Sequence, residues 1–443
     1  MLPLNTGSVK LAPAPPSTPP TDLLRTLPPD LARLLAQVAL IAARQGARLW
    51  LVGGVVRDLL LGLPPDRDVD LAIEGETAQL AVSLAKALGG RVLASHRTFA
   101  TATIALPRPA PPSGELLLDL ARARVEAYPQ PAALPQVRPA SIVEDLQRRD
   151  FSLNAIALEL RVDGEQLGAG DLLDPSHGWA DLAQGRLRLL HPLSLRDDPT
   201  RILRGLRLAA RLGLQPEPDT AALIADALAQ GYLGLLTPER ILTELCLTLE
   251  ESQPAAVLAL ADAWGVTPQL VPGLHWSLEL AARFTRYAES ELRPPAPGPL
   301  AAGLLCYDLS PDDLATLPQR YPLPTPVAQL LGDVARLPQL AQRLCADLSP
   351  SKIDLLLRPH SESAIYVLHF AASEEVSRIT FHYLRMIRSA RPPLDGRDLQ
   401  RLGVAPGPAI GRMLADLRAA YLDGTCQTRE QAEQWVGRQL GRA

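Results

Sequence analysis

The chain has 443 residues and a formal charge of −4, so its length suggests two to four domains and its charge neither points to nor excludes a nucleic-acid partner. Apolar residues make up 47% and aromatics only 4%, which implies a core of Leu, Ala and Val and a mainly helical protein. Proline, at 43 residues about twice the usual share, favours many short helices, and the composition excludes a disordered chain, a collagen and a coiled coil.

Met1 to Thr21 has no basic region followed by an apolar run, so a secretory signal is not expected; residues 1–22 read as a Pro-rich flexible leader. Apolar residues at helical spacing (Leu31, Leu34, Leu35, Val38, Ala39) predict a helix within Asp22–Gln45. Arg48–Val52 reads as a buried strand ended by Gly53-Gly54, and Val55–Leu61 as a helix stopped by Gly62 and Pro64-Pro65. A strand is expected over Asp68–Ile73, a helix over Ala78–Leu88, and further strands over Thr98–Ala105 and Leu116–Leu120. A Pro-interrupted stretch follows from Arg122 to Pro139, and Ser141 to Glu144 is a capping box that opens the next helix. After about Gly185 the pattern is helical, with breaks near Pro216, over Pro294–Pro299 and at Pro392-Pro393. The fold class expected is α+β: a head with a small mixed β-sheet, followed by an all-α remainder. No stretch of ~18 apolar residues lacks charge, so no membrane span is expected. The cysteines (Cys246, Cys306, Cys345, Cys426) lie far apart without a CxxC pair, as in a reduced cytoplasmic protein without a zinc site.

Three blocks carry chemistry. In the first, Leu51-Val-Gly-Gly-Val-Val-Arg-Asp58 precedes Asp68-Val-Asp70. Residues i and i+2 of a strand share a face, so Asp68 and Asp70 project together and are candidate ligands for two hard cations. Two metals ~4 Å apart can activate an attacking hydroxyl and neutralise a leaving pyrophosphate. Two solvated loop acids would give the same Asp-x-Asp, but Gly53-Gly54 before a helix exposes backbone N–H groups where phosphates bind, and Arg57 lies one turn inside. The second block, Arg148-Arg149-Asp150-Phe-Ser-Leu-Asn154-Ala, suits a triphosphate and ribose; its plain alternative is a solvated helix end capped by Asp150. The third is Arg196-Asp-Asp-Pro-Thr-Arg201-Ile-Leu-Arg204-Gly-Leu-Arg207-Leu-Ala-Ala-Arg211. Arg201, Arg204, Arg207 and Arg211 line one helix face, either to bind phosphates or as an ordinary surface stripe.

In this order the blocks resemble the class II tRNA nucleotidyltransferase and bacterial poly(A) polymerase family. Gly-Gly…Arg-Asp…Asp-x-Asp and Arg148–Ala155 are similar to its first two motifs. Asp174-Pro…Gly178…Asp181-Leu…Arg188 resembles its connecting motif, Asp197-Asp198-x-x-Arg201 its Glu-Asp-x-x-Arg motif, and Thr237-Pro-Glu-Arg240-Ile its last motif. The likeness covers about residues 45–250, with a weaker one through Leu394-Asp-Gly-Arg-Asp-Leu to Pro408.

The resemblance implies a head over residues 23–160, a neck over 161–250, a body over 251–390 and a tRNA-binding tail over 391–443. It implies an enzyme that adds CCA, or its terminal A, to the tRNA 3′ end from CTP and ATP, with two Mg²⁺ at Asp68 and Asp70 and no nucleic-acid template. Asp119 is a candidate third acid, or else a strand-end carboxylate. Gly53, Gly54, Arg57, Arg148, Arg149, Asp150, Asn154, Asp198, Arg201, Arg204 and Arg207 are the expected nucleotide-binding residues. A poly(A) polymerase, a non-catalytic RNA-binding relative and a small-molecule nucleotidyltransferase are the competing readings. No histidine precedes an Asp, so a His-Asp phosphohydrolase domain is not expected. Residues 122–139 fall where the family carries the flexible loop associated with switching from C to A addition, and their length disfavours a C-only enzyme.

Base choice follows from donor and acceptor order. Arginine only donates and ionised aspartate only accepts, so Asp198 with Arg201 matches the amino and ring-nitrogen edge of cytosine and of adenine but not of uracil or guanine. A mismatch leaves buried polar groups unpaired at ~1–3 kcal/mol each. If Asp198 caps the helix before Pro199, its oxygen serves a backbone N–H. If Asp197 is the cap, Asp198 keeps a free carboxylate, and this second arrangement is the expected one.

Overall fold

The computed structural model describes residues 23–63, 68–108, 114–164, 166–292, 294 and 297–441; the side chain of Asp68 is not described. The expected leader (1–22), the Pro64-Pro65 stop and part of the Pro294–Pro299 break lie outside the described residues.

Two compact units divide the chain: Met1–Glu244 with Ala263–Val266, and Leu245–Asp262 with Thr267–Ala443. In the first, helix α1 (Pro29–Arg44) buries Leu31, Leu35, Val38, Ala39 and Ala42, the i, i+4, i+7 face that the sequence pattern predicts. Strand β1 (Arg48–Val52) runs into α2 (Gly54–Leu60), and β2 (Asp68–Glu74) into α3 (Thr77–Ala87). Next come β3 (Arg91–His96), β4 (Thr101–Arg108), β5 (Gly114–Arg122), β6 (Arg124–Ala127) and β7 (Gln136–Pro139). Helix α4 (Ile142–Gln147), β8 (Ala157–Asp163), β9 (Gln166–Leu173) and α5 (Gly178–Ala183) follow.

The mixed sheet has seven strands in the order β3-β4-β5-β2-β1-β8-β9. Only β2 and β5 pair in parallel; every other neighbour is antiparallel. Leu49, Leu51, Val69, Leu71, Ile104, Leu118 and Leu158 share one buried cluster with the apolar faces of α1 and α3. Several strands differ from the sequence reading, among them two short ones, Arg186–Leu187 and Gln215–Pro216, in the stretch expected to be helical. β3 was not expected, and β8 and β9 carry the sheet on to Leu173. The β8 segment Ala-Leu-Glu-Leu is rich in helix formers, but pairing on both sides between β1 and β9 overrides that preference. The strand expected from Thr98 starts at Thr101, because Arg97–Phe99 forms a 3-10 turn.

The Pro-interrupted stretch is not structureless: β6 and β7 pair as an antiparallel hairpin from Arg124↔Pro139 to Ala127↔Gln136. The capping box is formed, with the Glu144 N–H donating to Ser141 Oγ (3.4 Å) and the Ser141 N–H to Glu144 Oε2 (2.9 Å). Beyond it, β10 (Arg186–Leu187), α6 (Ser194–Asp197), α7 (Thr200–Leu212), β11 (Gln215–Pro216), α8 (Pro218–Ala229) and α9 (Pro238–Leu249) follow in turn.

The described elements of the second unit are all helices, the last ending at Gln439. Its last helices close around Leu394, Leu399, Leu417, Ala432 and Val436. Arg418 is 8% exposed and grips Asp354 through Nε (2.7 Å) and Nη2 (2.9 Å). No helix among the described residues is long and apolar enough to cross a membrane.

Candidate active site

A cleft of about 340 Å³ opens in the first unit. It gathers Gly53 and Gly54, Asp70, the β6–β7 hairpin (Glu126, Tyr128, Ala133, Pro135), Arg148 to Asp150, Asn154, Asp198, Arg201, Arg204 and Arg240. Residues up to 187 apart in sequence thus meet in one concavity, and most of the expected nucleotide-binding residues line it. Six arginines (124, 148, 149, 201, 204, 240) face four acids (70, 126, 150, 198), so the cleft suits an anion.

The first block is held by glycine. Gly53 ends β1 at φ 72°, and a Cβ there would lie 3.4 Å from Arg149 Nη1 and 3.5 Å from Asp70 Oδ2. The positive φ, which L side chains rarely adopt, is what argues for glycine; a Cβ there would make only ordinary contacts. The same geometry shows that the first and second blocks converge. Asp70 is exposed, and its backbone pairs directly with Asp119 across the parallel β2–β5 ladder. Asp119 is half-buried, accepts from Thr103 Oγ1 (2.5 Å) and is not among the residues lining the cleft.

Arg57 is 4% exposed and points inward, donating through Nη1 to Asn154 Oδ1 (2.9 Å) and through Nε and Nη2 to Asp58. It lines a smaller neighbouring cleft with Gly54, Asn154, Arg204, Arg207 and Arg211. Asn154 passes the connection on through Nδ2 to Asp150 Oδ1 (3.2 Å). Asp150 is not a solvated cap. It is 6% exposed, and its Oδ2 meets Arg204 Nη2 at 2.8 Å. Burial alone would raise the Asp150 carboxyl, but Arg204 holds it below the usual carboxylate range.

Arg148 and Arg149 are presented by an acid that the motif reading did not single out. Asp145, 1% exposed, accepts from Arg148 Nη2 (2.6 Å) on Oδ1 and from Arg149 Nη2 (3.0 Å) on Oδ2. Burial works against its charge, yet Arg149 and Arg148 keep its carboxyl below the ordinary value. Arg148 Nη1 also donates to Glu126 of the hairpin (2.8 Å). The Tyr128 hydroxyl donates a hydrogen bond to the same Glu126 (2.7 Å), and burial followed by the Glu126 charge pushes that phenol's pKa upward. The connecting motif braces from outside. Asp174 accepts from the Gly178 (2.7 Å) and Trp179 (3.0 Å) N–H groups, and Asp181 accepts from Ser152 Oγ (2.6 Å) and Arg188 (2.6 Å).

The expectation that Asp197 caps α7 and leaves Asp198 unengaged does not hold. Pro199 has no N–H, so the next donor is that of Thr200, and Asp198 Oδ1 accepts it at 3.1 Å in an Asx-type turn. The same oxygen accepts from Thr200 Oγ1 (2.6 Å) and Arg240 Nη2 (2.7 Å). Oδ2 takes no hydrogen bond from the described residues, so capping and an open acceptor coexist on one carboxylate that lines the cleft. Asp197 ends α6 instead, with its carboxyl raised by burial.

The arginine stripe is likewise engaged. Arg201, 5% exposed, donates through Nη2 to the Arg148 carbonyl (2.9 Å) and through Nη1 to Ser194 Oγ. Arg204 pairs with Asp150, and Arg207 with Glu244. Arg124, Glu126, Tyr128, Asp145 and Arg240 are the cleft and support residues that the motif reading left out of the site. Arg240 fell inside a motif block and Arg124, Glu126 and Tyr128 inside the loop stretch 122–139, but none was expected as a site residue.

The Poly A polymerase head domain family matches residues 49–188. The chain is 33% identical over 425 residues, 94% of each chain, to an A-adding tRNA nucleotidyltransferase of Halalkalibacterium halodurans. It is 37% identical over 394 residues to a CC-adding tRNA nucleotidyltransferase of Deinococcus radiodurans, covering 89% of this chain and 90% of that one. The fold is similar to that of the Thermotoga maritima CCA-adding enzyme solved with tRNA (TM-score 0.74, 26% identity, 96% of this chain and 99% of that one). It is also similar to a CCA-adding enzyme in its apo form II (TM-score 0.76, 27% identity, 95% and 99% covered). The chain therefore belongs to the tRNA nucleotidyltransferase family of enzymes.

Proposed function

We propose that this chain completes tRNA 3′ ends in the cytoplasm, adding CCA or its terminal A from CTP and ATP without a nucleic-acid template. The single observation that carries this reading is the arginine-rich cleft that brings Gly53, Asp70, Arg149 and Asp198 together. A tRNA 3′-hydroxyl attacks the α-phosphorus in line, and pyrophosphate leaves. Arg148 and Arg149, pre-set by Asp145, supply positive charge where the triphosphate gains charge in the transition state. Asp198 offers Oδ2 to the amino group of C or A, and Arg201 lies one turn further along α7, with its guanidinium fixed by the Arg148 carbonyl.

The donor set fits Mg²⁺. The cleft contains no His or Cys, and Mg²⁺ is commonly held by one or two carboxylates together with substrate phosphates. Asp70 with Asp68 would hold two such ions, Asp119 standing beside Asp70 on the neighbouring strand. Bound there, they supply charge neutralisation and an activated hydroxyl. Substrate phosphates would complete the shell of ions held by so few carboxylates.

The test is incubation with tRNA transcripts lacking CCA, CA or only A, with CTP and ATP supplied separately. Completion of the last substrate by ATP supports the reading. Incorporation of C alone overturns it in favour of CC addition, and long A tracts on any RNA favour a poly(A) polymerase.

Base reading has its own expected result. Asp198→Ala should relax discrimination against UTP and GTP by about 10-fold or more, the value of one or two unpaired polar groups. It should also lower stability by about 1 kcal/mol through loss of the turn to Thr200. Four-nucleotide single-incorporation assays check it; unchanged ratios with only a lowered melting point would remove the base-reading role.

The tail, 391–443, is assigned to tRNA. Arg391, Arg397 and Arg412 are exposed there. tRNA affinity should fall with salt at a log–log slope of several units, and replacing these three by Ala should shallow it. Substitution is the better test than truncation after residue 390, because truncation also removes Arg418 and leaves Asp354 buried without its partner. Equal losses of ATP and tRNA affinity in a folded triple variant would count against the assignment.

A further inference from the structure

We infer that Arg240 is a specificity-positioning residue: it fixes the Asp198 carboxylate and ties it to the tip of the β6–β7 hairpin. The inference rests on the reading of Asp198 as a base selector. Arg240 uses its two terminal nitrogens in two directions. Nη2 donates to Asp198 Oδ1 (2.7 Å), and Nη1 donates to the carbonyl of Ala132 (3.1 Å) at the hairpin tip. The planar guanidinium holds those two directions at a fixed angle, which a lysine cannot do. The contact is with the oxygen that also accepts from Thr200, so Arg240 and Thr200 together occupy Oδ1, and no described residue hydrogen-bonds the Oδ2 of this cleft-lining carboxylate.

The hairpin tip is itself docked. The Ala132 N–H donates to the Arg196 carbonyl in α6 (3.0 Å), two residues before Asp198. Ala132 does this at φ 59°, the left-handed region that alanine seldom adopts, so the peptide on either side is turned to meet both partners. At the other end of the hairpin, Glu126 binds Arg148 (2.8 Å), whose carbonyl in turn accepts from Arg201 (2.9 Å). Each member of the base-selecting pair is therefore reached from the hairpin through one arginine: Asp198 through Arg240 and Arg201 through Arg148. A shift of the hairpin tip must break the Ala132 contacts or carry the Asp198 carboxylate with it.

The experiment compares Asp198→Ala, Arg240→Gln, Arg240→Lys and Ala132→Pro in the full chain. For each, kcat and KM are measured for all four nucleoside triphosphates on a tRNA substrate, together with the melting temperature. Arg240→Gln should bring UTP and GTP at least 10-fold closer to CTP and ATP, mostly through a raised KM for the correct nucleotide, with the melting temperature close to that of the parent. Arg240→Lys, which keeps a charge for Asp198 but not both directions, should recover part of the discrimination. Ala132→Pro, which removes the N–H and cannot hold φ 59°, should shift the same ratios in the same sense. Wild-type ratios in Arg240→Gln, alongside relaxed ratios in Asp198→Ala, overturn the inference while leaving Asp198 as the selector. Equal loss for all four nucleotides in both Arg240 variants also overturns it, since that marks a merely structural arginine. Wild-type ratios in Asp198→Ala overturn the base-reading assignment itself.

Discussion

Asp70→Ala should reduce nucleotide incorporation by at least ~10³-fold, several kcal/mol of barrier, while the protein keeps its fold. The size follows from where the carboxylate stands. Asp70 Oδ2 and Arg149 Nη1 both lie within 3.5 Å of where a Cβ at Gly53 would stand, so the acid lies where a triphosphate would pass from the glycines to the arginines. A cation held there is the largest charge in the site, and without its ligand the arginines alone must meet the developing charge. The fold should survive because Asp70 is exposed and its strand neighbour is Asp119, so the change removes a like charge from the β2–β5 pair. Asp68→Ala should behave in the same way. The measurement is single-turnover incorporation under saturating Mg²⁺, with a melting curve on the same sample. Near-normal turnover in either variant would sink the metal assignment. A Cys replacement at position 70 that recovers activity with Mn²⁺ or Cd²⁺ but not with Mg²⁺ would support ligation directly, because a softer ligand prefers softer metals.

What the sequence made legible is tied to local rules. Apolar spacing located α1, and a short apolar run ended by Gly53-Gly54 located β1, because those signals depend on a few neighbouring residues. The capping box at Ser141 is local in the same sense. β8 and β9 escaped because Ala-Leu-Glu-Leu and Gly168-Ala-Gly170 have no strand signature of their own; β8 is held by pairing with β1, and β9 by pairing with β8. In the site, the motif residues were visible because chemistry demands their types. Asp145, Glu126 and Arg240 were not, since an acid in a capping-box helix, one in a hairpin and an arginine at a helix start look ordinary until the fold sets them against Arg148, Arg149 and Asp198. The Asp197–Asp198 choice failed for a physical reason of the same kind: proline removes the N–H at 199, which moves the first available donor to Thr200 and makes Asp198 the residue in reach. An aspartate has two oxygens, so the two roles posed as alternatives are compatible.

Asp145 carries the other large expected effect. Its carboxylate is buried, holds two guanidiniums and also accepts the Arg124 N–H (3.2 Å). Removing one partner of a buried ion pair leaves uncompensated charge, at about 3–5 kcal/mol. Asp145→Ala should therefore lower stability by roughly that amount and raise KM for every nucleoside triphosphate alike, since Arg148 and Arg149 lose their common anchor without any change in the residues that read the base. That pattern separates it from Asp198→Ala, which changes ratios. Asp145→Asn keeps an acceptor oxygen and the side-chain shape but not the charge, so its cost exposes the electrostatic part. Linkage fixes the pH dependence. The folded carboxyl titrates below its unfolded value, so its contribution is fully present above the unfolded pKa of about 3.9 and is lost as pH falls through the folded pKa. The stability gap between the parent protein and Asp145→Asn should thus be constant from neutral pH down to about pH 5, begin to narrow below about pH 4 and close as pH falls through the folded pKa. Denaturant midpoints of both proteins at pH 7, 5 and 3.5 measure it. A gap of the same size at all three would show that Asp145 acts through shape and hydrogen bonding alone, and that its charge is not what holds Arg148 and Arg149 toward the cleft.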